Sequence, residues 1–270
     1  MLMLEFMFLP FIACLILTGI HAYLGIHVIE REVIFVDLAL AQIAALGAII
    51  AFLFGMELHS TTAYIFSLGF TFIGASVFSL TRLKERKVPQ EAIIGIVYAV
   101  SAAAAILALN RAPSEAEHIK YMLVGNIIFV QLPEIIKMAI LYAIIGLFHF
   151  VYRKKFLLIS LDPDEAQKQK IPVRMWDFLF YASFGIVVTS SVEIAGVLLV
   201  FSYLIVPAVC AILLSNKLKT RLLLGWVLGS LTSLVGLYLS VALDFPTGAT
   251  IVCTFGILVL GVLILQRIIK

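Results

Sequence analysis

Again and again this chain runs for roughly twenty residues with hardly a charge, the length needed to cross the hydrocarbon layer of a bilayer as a helix. Such runs occupy Phe6 to Val28, Val33 to Phe54, Thr61 to Leu80, Ala92 to Leu109, Ile135 to Val151, Trp176 to Val192, Ile194 to Val206, Leu222 to Leu243 and Gly248 to Leu265. They are continuous and lack the period-two alternation of an outer-membrane barrel, so they predict helices. Of the 270 residues, 63% are hydrophobic and 13% charged, whereas a soluble domain carries about 25% charged residues to cover its core. The fold predicted is all-α: a polytopic transmembrane helical bundle forming one domain over residues 1–270. The runs at Trp176 and Ile194 are short, which leaves the count at eight or nine spans.

Lysine and arginine set an orientation. With alternate connections facing the cytoplasm, that side holds Arg31, Arg82, Lys84, Arg86, Lys87, Arg153, Lys154, Lys155, Lys168, Lys170, Arg174, Lys217, Lys219, Arg221, Arg267 and Lys270. The other side holds Arg111 and Lys120, with Lys137 just inside the fifth run. The positive-inside rule then predicts an external N-terminus, a cytoplasmic C-terminus and a multi-pass location in the cell membrane. The first run has no basic n-region or small-residue cleavage site and reads as a span rather than a signal peptide. The spans leave about ten residues per connection, and no GxxxxGK[ST] occurs, so any use of ATP calls for another polypeptide.

Two segments read differently from plain spans. Tyr121 to Val130 is apolar but too short to cross, and predicts an interfacial piece on the outer side. Pro133 and Glu134 after it suit the first turn of a helix, where a missing N–H is harmless and negative charge meets the positive end of the dipole. Pro207 removes a backbone hydrogen bond, so the seventh span is predicted to end or kink there. A short helix over Pro207 to Lys217 would then emerge on the basic side.

Ionisable groups inside lipid are costly and so are candidates for function. Asp37 lies about one turn into the second run, His21 in the last third of the first, Gln42 five residues beyond Asp37, and Glu193 at the junction of the sixth and seventh runs. His21 reads as a hydrogen-bonded packing residue and Glu193 as an interfacial carboxylate. Glu57 and His59, in an outer turn, read as solvated. HExxH is absent, no histidine has another at i+3 or i+4, and nothing pairs a nucleophile with a base, which leaves no case for an enzyme. Cys14, Cys210 and Cys253 are far apart in apolar runs and read as packing residues. Small residues, among them Gly47, Gly74, Gly225, Gly229 and Gly236, suit close helix contact in lipid.

The chain resembles the permease subunits of ATP-driven importers for divalent metals such as zinc and manganese. The resemblance rests on Phe35 to Gly47 (FVDLALAQIAALG), Glu91 to Tyr98 (EAIIGIVY), Leu123 to Ile127 (LVGNI), Leu161 to Ala166 (LDPDEA), Gly196 to Leu214 and Asp244 to Val252 (DFPTGATIV). It implies a single permease domain that binds no cofactor, a second permease copy in a homodimer or a related permease paired with this one, and alternating access. It also implies a cytoplasmic ATP-binding subunit that holds ATP-Mg, and an extracytoplasmic metal-binding protein; no nucleic acid is expected. It makes Pro207, Ala208, Ala211, Asn216 and Lys217 the coupling element toward the ATPase, with Leu161 to Ala166 as the runner-up contact.

One departure bears on the cargo. The family places an Asp and a His four residues apart on one helix face; aligned without a gap, those positions here are Leu38 and Gln42, and Asp37 lies about 100° round the helix. Glutamine is a poor substitute for imidazole toward zinc or manganese. Asp37 and Gln42 remain the candidate path residues and the metal ligands are left open. Asp37 serves through a local shift, or the cation passes with fewer protein ligands, or the cargo is a metal chelate or other small solute. A secondary carrier driven by an ion gradient is a further alternative.

Overall fold

A computed structural model describes residues 2–57, 60–82, 88–109 and 127–269. The chain folds into α1 (Leu2–Glu30), α2 (Val36–Leu53), α3 (Thr61–Leu80), α4 (Gln90–Leu109), a 3-10 turn (Ile127–Phe129) and α5 (Leu132–Val151). It continues through α6 (Arg153–Leu161), α7 (Pro163–Lys168), α8 (Val173–Ala195), α9 (Val197–Leu214), α10 (Leu218–Leu243) and α11 (Thr247–Ile269). Among the described residues nine helices, all but α6 and α7, are long and apolar enough to cross a membrane. Helices win because lipid offers no partner to an unpaired N–H or C=O, and a helix satisfies both internally.

Local chemistry sets the ends. Ser60 Oγ accepts the Ala63 N–H at 3.2 Å and starts α3. Glu134 reaches back to accept the Gln131 N–H at 2.8 Å, so the acid foreseen in the first turn of α5 caps the residue before the helix. Asp162 accepts the Glu165 N–H at 2.9 Å, with Pro163 in the first turn of α7. Gly196, at φ +78°, is the single residue between α8 and α9; a side chain there would be strained. Both neighbours run longer than their apolar cores, and nine candidate spans stand among the described residues.

The chain divides into two compact units. The first takes the described parts of Met1–Ile29, Tyr121–Gly146 and Ser191–Lys270; the second those of Glu30–Lys120 and Leu147–Ser190. In the first, α1 meets α9 so closely that a Cβ on Gly25 would lie 1.9 Å from the Leu204 carbonyl oxygen. A Cβ on Gly229 of α10 would stand 2.6 Å from Thr18 Cγ2 and 3.3 Å from Pro207 Cγ. In the second, α2 packs on α3 and α4, and Thr71 of α3 shares a 3.2 Å hydrogen bond with Thr189 of α8.

The predicted end of a helix at Pro207, with a separate short helix after it, is corrected. α9 runs through it to Leu214, and no separate short helix follows; Ser215, Asn216 and Lys217 link directly to α10. Pro207, Ala208 and Ala211 are buried, the proline ring lying against the gap left by Gly229. Membrane helices tolerate such a proline when neighbouring helices fill in around it. These three side chains cannot face a soluble partner, and only Asn216 and Lys217 of the expected coupling element are exposed. Of the interfacial piece, 121–126 lie outside the described residues, as does His59.

Candidate functional site

The first turn of α2 carries Asp37, 1% exposed, whose Oδ1 has no hydrogen-bond partner. α2 has no side-chain cap of its own. Glu91, in the first turn of α4, supplies one: its Oε1 accepts the Phe35 N–H at 2.9 Å. The other Glu91 oxygen, Oε2, is buried without a hydrogen-bond partner. Two acids thus stand at the adjoining starts of α2 and α4, each with an oxygen lacking a hydrogen-bond partner. A polar atom buried in that condition carries a cost and calls for an explanation. Gln42 is half-buried and, five residues on, lies about 140° round the helix from Asp37; the structure does not bring it to the same face.

At the same end of this unit lies a charged cluster. Arg31, just past α1, donates from Nε to Ser160 Oγ of α6 at 2.8 Å and from Nη1 to Asp177 Oδ1 of α8 at 2.7 Å. Its guanidinium lies 3.9 Å above the Phe180 ring. Arg82, just past α3, donates from Nη1 to both Asp177 oxygens at 2.6 Å. The side chains of Arg31 and Asp177 are 1% and 0% exposed, that of Arg82 22%. Burial lowers the Arg31 guanidinium from its ordinary pKa, and the neighbouring Asp177 carboxylate opposes that shift.

α6 and α7 carry this cluster to the surface. Phe156 of α6 is fully buried, stacked on His149 of α5 at 4.3 Å and edge-on to Trp176 of α8 at 5.4 Å. Ala166 anchors α7 from below, while Asp164, Gln167 and Lys168 are exposed. The LDPDEA segment thus ends α6 at Leu161 and opens the short, polar-faced α7 at Pro163, with Asp162 as its cap.

The profile of the ABC 3 transport family matches residues 3–266. The chain belongs to the ABC 3 transport family. As a member with nine candidate spans, it is a multi-pass integral protein of the cell membrane. A Haemophilus influenzae protein named "Probable iron transport system membrane protein" is 27% identical over 236 residues, covering 87% of this chain and 80% of that protein. The manganese transport system membrane protein MntC of Listeria innocua is 25% identical over 240 residues, covering 86% and 81%. The solved structure of PsaBC from Streptococcus pneumoniae in complex with Fab superposes with a TM-score of 0.76 at 22% identity, covering 97% and 91%.

The other candidates of this family member take quieter places. His21 is fully buried and bonded through Nδ1 to the Leu17 carbonyl at 2.9 Å, with Nε2 lacking a hydrogen-bond partner. Glu193 is exposed in the last turn of α8, and Glu57 is exposed before α3. Sequence reasoning missed Glu91, Arg31, Arg82 and Asp177 as site residues. Asp177 left a signal, an acid one residue inside an apolar run. The pairing of Arg31 with Asp177 left none, since 146 positions separate them. Among the described residues no three His, Cys, Asp or Glu side chains gather as a metal cage.

Proposed function

We propose that this chain is the permease of a divalent-metal importer, and that the ion passes Asp37 and Glu91. The pairing of buried Asp37 with half-buried Glu91 carries this reading. Two oxygens without partners, in a family of transport proteins, offer hard ligands to a cation that keeps part of its water shell. Carboxylate oxygens without an added imidazole suit manganese or ferrous iron better than zinc, in keeping with relatives named for manganese and iron transport. Gln42, further along α2 on another face, is the second path contact.

Driving force comes from outside the chain. A cytoplasmic ATP-binding subunit docks at the basic end and holds the ATP-Mg. An extracytoplasmic binding protein delivers the ion at the opposite end, and a second copy of the permease completes the translocation path. The exposed face of α7, with Asp164, Gln167 and Lys168, is the ATPase contact. It is a rigid short helix, whereas the Ser215–Lys217 link is three residues long and Pro207, Ala208 and Ala211 are buried.

The test is ATP-dependent uptake of manganese by proteoliposomes holding this chain and its ATPase. Asp37→Asn is expected to lower uptake at least ten-fold while the complex still assembles. Wild-type uptake by that variant would remove Asp37 from the path. ATPase stimulation by a metal chelate and by no free divalent ion would replace the metal-ion reading with a chelate one.

A further inference from the structure

We infer that Arg31, Asp177, Arg82 and Ser160 form the joint that carries motion of α6–α7 to the helix ends bearing the carboxylate pair. The inference rests on the reading of α7 as the ATPase contact. Four elements meet here through three side chains and a hydroxyl: α6 by Ser160, the residue after α1 by Arg31, α8 by Asp177 and the end of α3 by Arg82.

The geometry suits transmission. Arg31 is held at three points by a planar, rigid group: the Ser160 hydroxyl, the Asp177 carboxylate and the Phe180 ring. Hydrogen bonds of this kind tolerate about half an ångström of stretch before weakening. A shift of α6 therefore drags Arg31 and Asp177 along or breaks the set. Buried ion pairs add little to stability compared with apolar packing, and fixing one arrangement is their best-attested use.

The connection continues past the joint. Gln90 Nε2 of α4 donates to the Phe78 carbonyl of α3 at 2.9 Å. Ser79 Oγ of α3 donates to the Arg174 carbonyl in the first turn of α8 at 2.6 Å. The next residue of α4, Glu91, holds the Phe35 N–H two residues before Asp37. An unbroken series of hydrogen bonds and single helix turns thus runs from Ser160 to Asp37. Arg31 Nη2, buried and without a hydrogen-bond partner here, is a donor that a second arrangement of the joint can use.

The test uses the complete complex in proteoliposomes and compares ions moved per ATP hydrolysed. Ser160→Ala and Asp177→Asn are expected to lower that ratio at least five-fold and ten-fold, with the ATPase still bound and hydrolysing within two-fold of wild type. Because Asp177→Asn can impair folding, a triple variant (Arg31→Met, Arg82→Met, Asp177→Leu) removes all the charge at similar volume. It is expected to fold and still to uncouple. A folded triple variant with the wild-type ratio would overturn the joint. Cross-linking separates this from failure of the contact itself. A Gln167→Cys permease is expected to link to the ATPase; if it does not and Asn216→Cys does, the contact reading falls and the joint with it. If Gln167→Cys links and the joint variants stay coupled, the joint alone falls.

Discussion

In the first unit α1, α9 and α10 come together over missing side chains. Gly25 admits the Leu204 carbonyl, and Gly229 admits both Thr18 and the Pro207 ring. Its buried polar groups are mostly hydroxyls with nearby acceptors, such as Ser233 bonded to the Gly229 carbonyl at 2.6 Å and to Tyr203 at 2.8 Å. In the second unit helix ends are joined by charge, through Arg31, Arg82 and Asp177, and two further carboxylates stand beside the cluster's helices with oxygens unspent. Apolar contact through small residues is the low-cost way to hold helices in lipid, so the first unit reads as scaffold. Charge held inside a membrane protein is costly and marks moving or binding parts, so the second reads as the working half.

The largest effect should come from removing the carboxylate that serves two guanidinia. Asp177→Ala leaves Arg31 buried beside Arg82 with no counter-charge, and is expected to cost about 3–5 kcal/mol. A thermal melt of the detergent-solubilised chain measures it. Loss below about 1 kcal/mol would mean that water or lipid reaches the cluster, and the contrast between the units would weaken.

Next comes the glycine contact of the first unit. Gly25→Val puts atoms where the Leu204 carbonyl stands, and overpacking of this kind costs about 1–3 kcal/mol, more where backbone must move. Folded yield is expected to drop, while transport per folded molecule stays nearer wild type than in the charge variants. A Gly25 variant that folded normally yet failed to transport would give the first unit a mechanical part as well.

Much of this contrast was legible along the chain, and some was not. The spans were, because a lipid-facing helix must be apolar along its whole length and no tertiary contact can hide that. The pairing of small residues was too, in that Gly225 and Gly229 stood out before their partners were known. Pro207 misled because the rule against proline in helices is strongest in water. Against Gly229, its ring fills space that α10 leaves open. Asp37 was visible as a lone acid, but Glu91 stood inside a recognisable segment with no hint that it caps another helix. Arg31 looked like an orienting loop charge; only folding places it on α6 and α8.

A smaller effect separates hydroxyl from charge within the bilayer. Tyr203→Phe removes the bond to Ser233, which keeps its bond to Gly229 and is not orphaned. Hydrogen bonds between membrane helices average about 0.6 kcal/mol, so the melt should shift only slightly and uptake should hold. A cost near that of Asp177→Ala would place load-bearing polarity in both units and erase the distinction.

The smallest effect should be at Lys217. It is exposed at the start of α10, with its backbone N–H on Ser215 Oγ at 3.2 Å, so Lys217→Ala removes a charge without touching a packed surface. If the ATPase seats on α7, ATP hydrolysed per ion moved should stay within two-fold of wild type. Asp164→Lys, at another exposed position, on α7, should raise it several-fold, because reversing a charge at a docked face misaligns it. The pair isolates place from charge: both residues are solvated, and neither variant disturbs a core. Were Lys217→Ala the more damaging, the contact would belong to the α9–α10 link in the first unit. The unit read as scaffold would then be the one that receives the stroke.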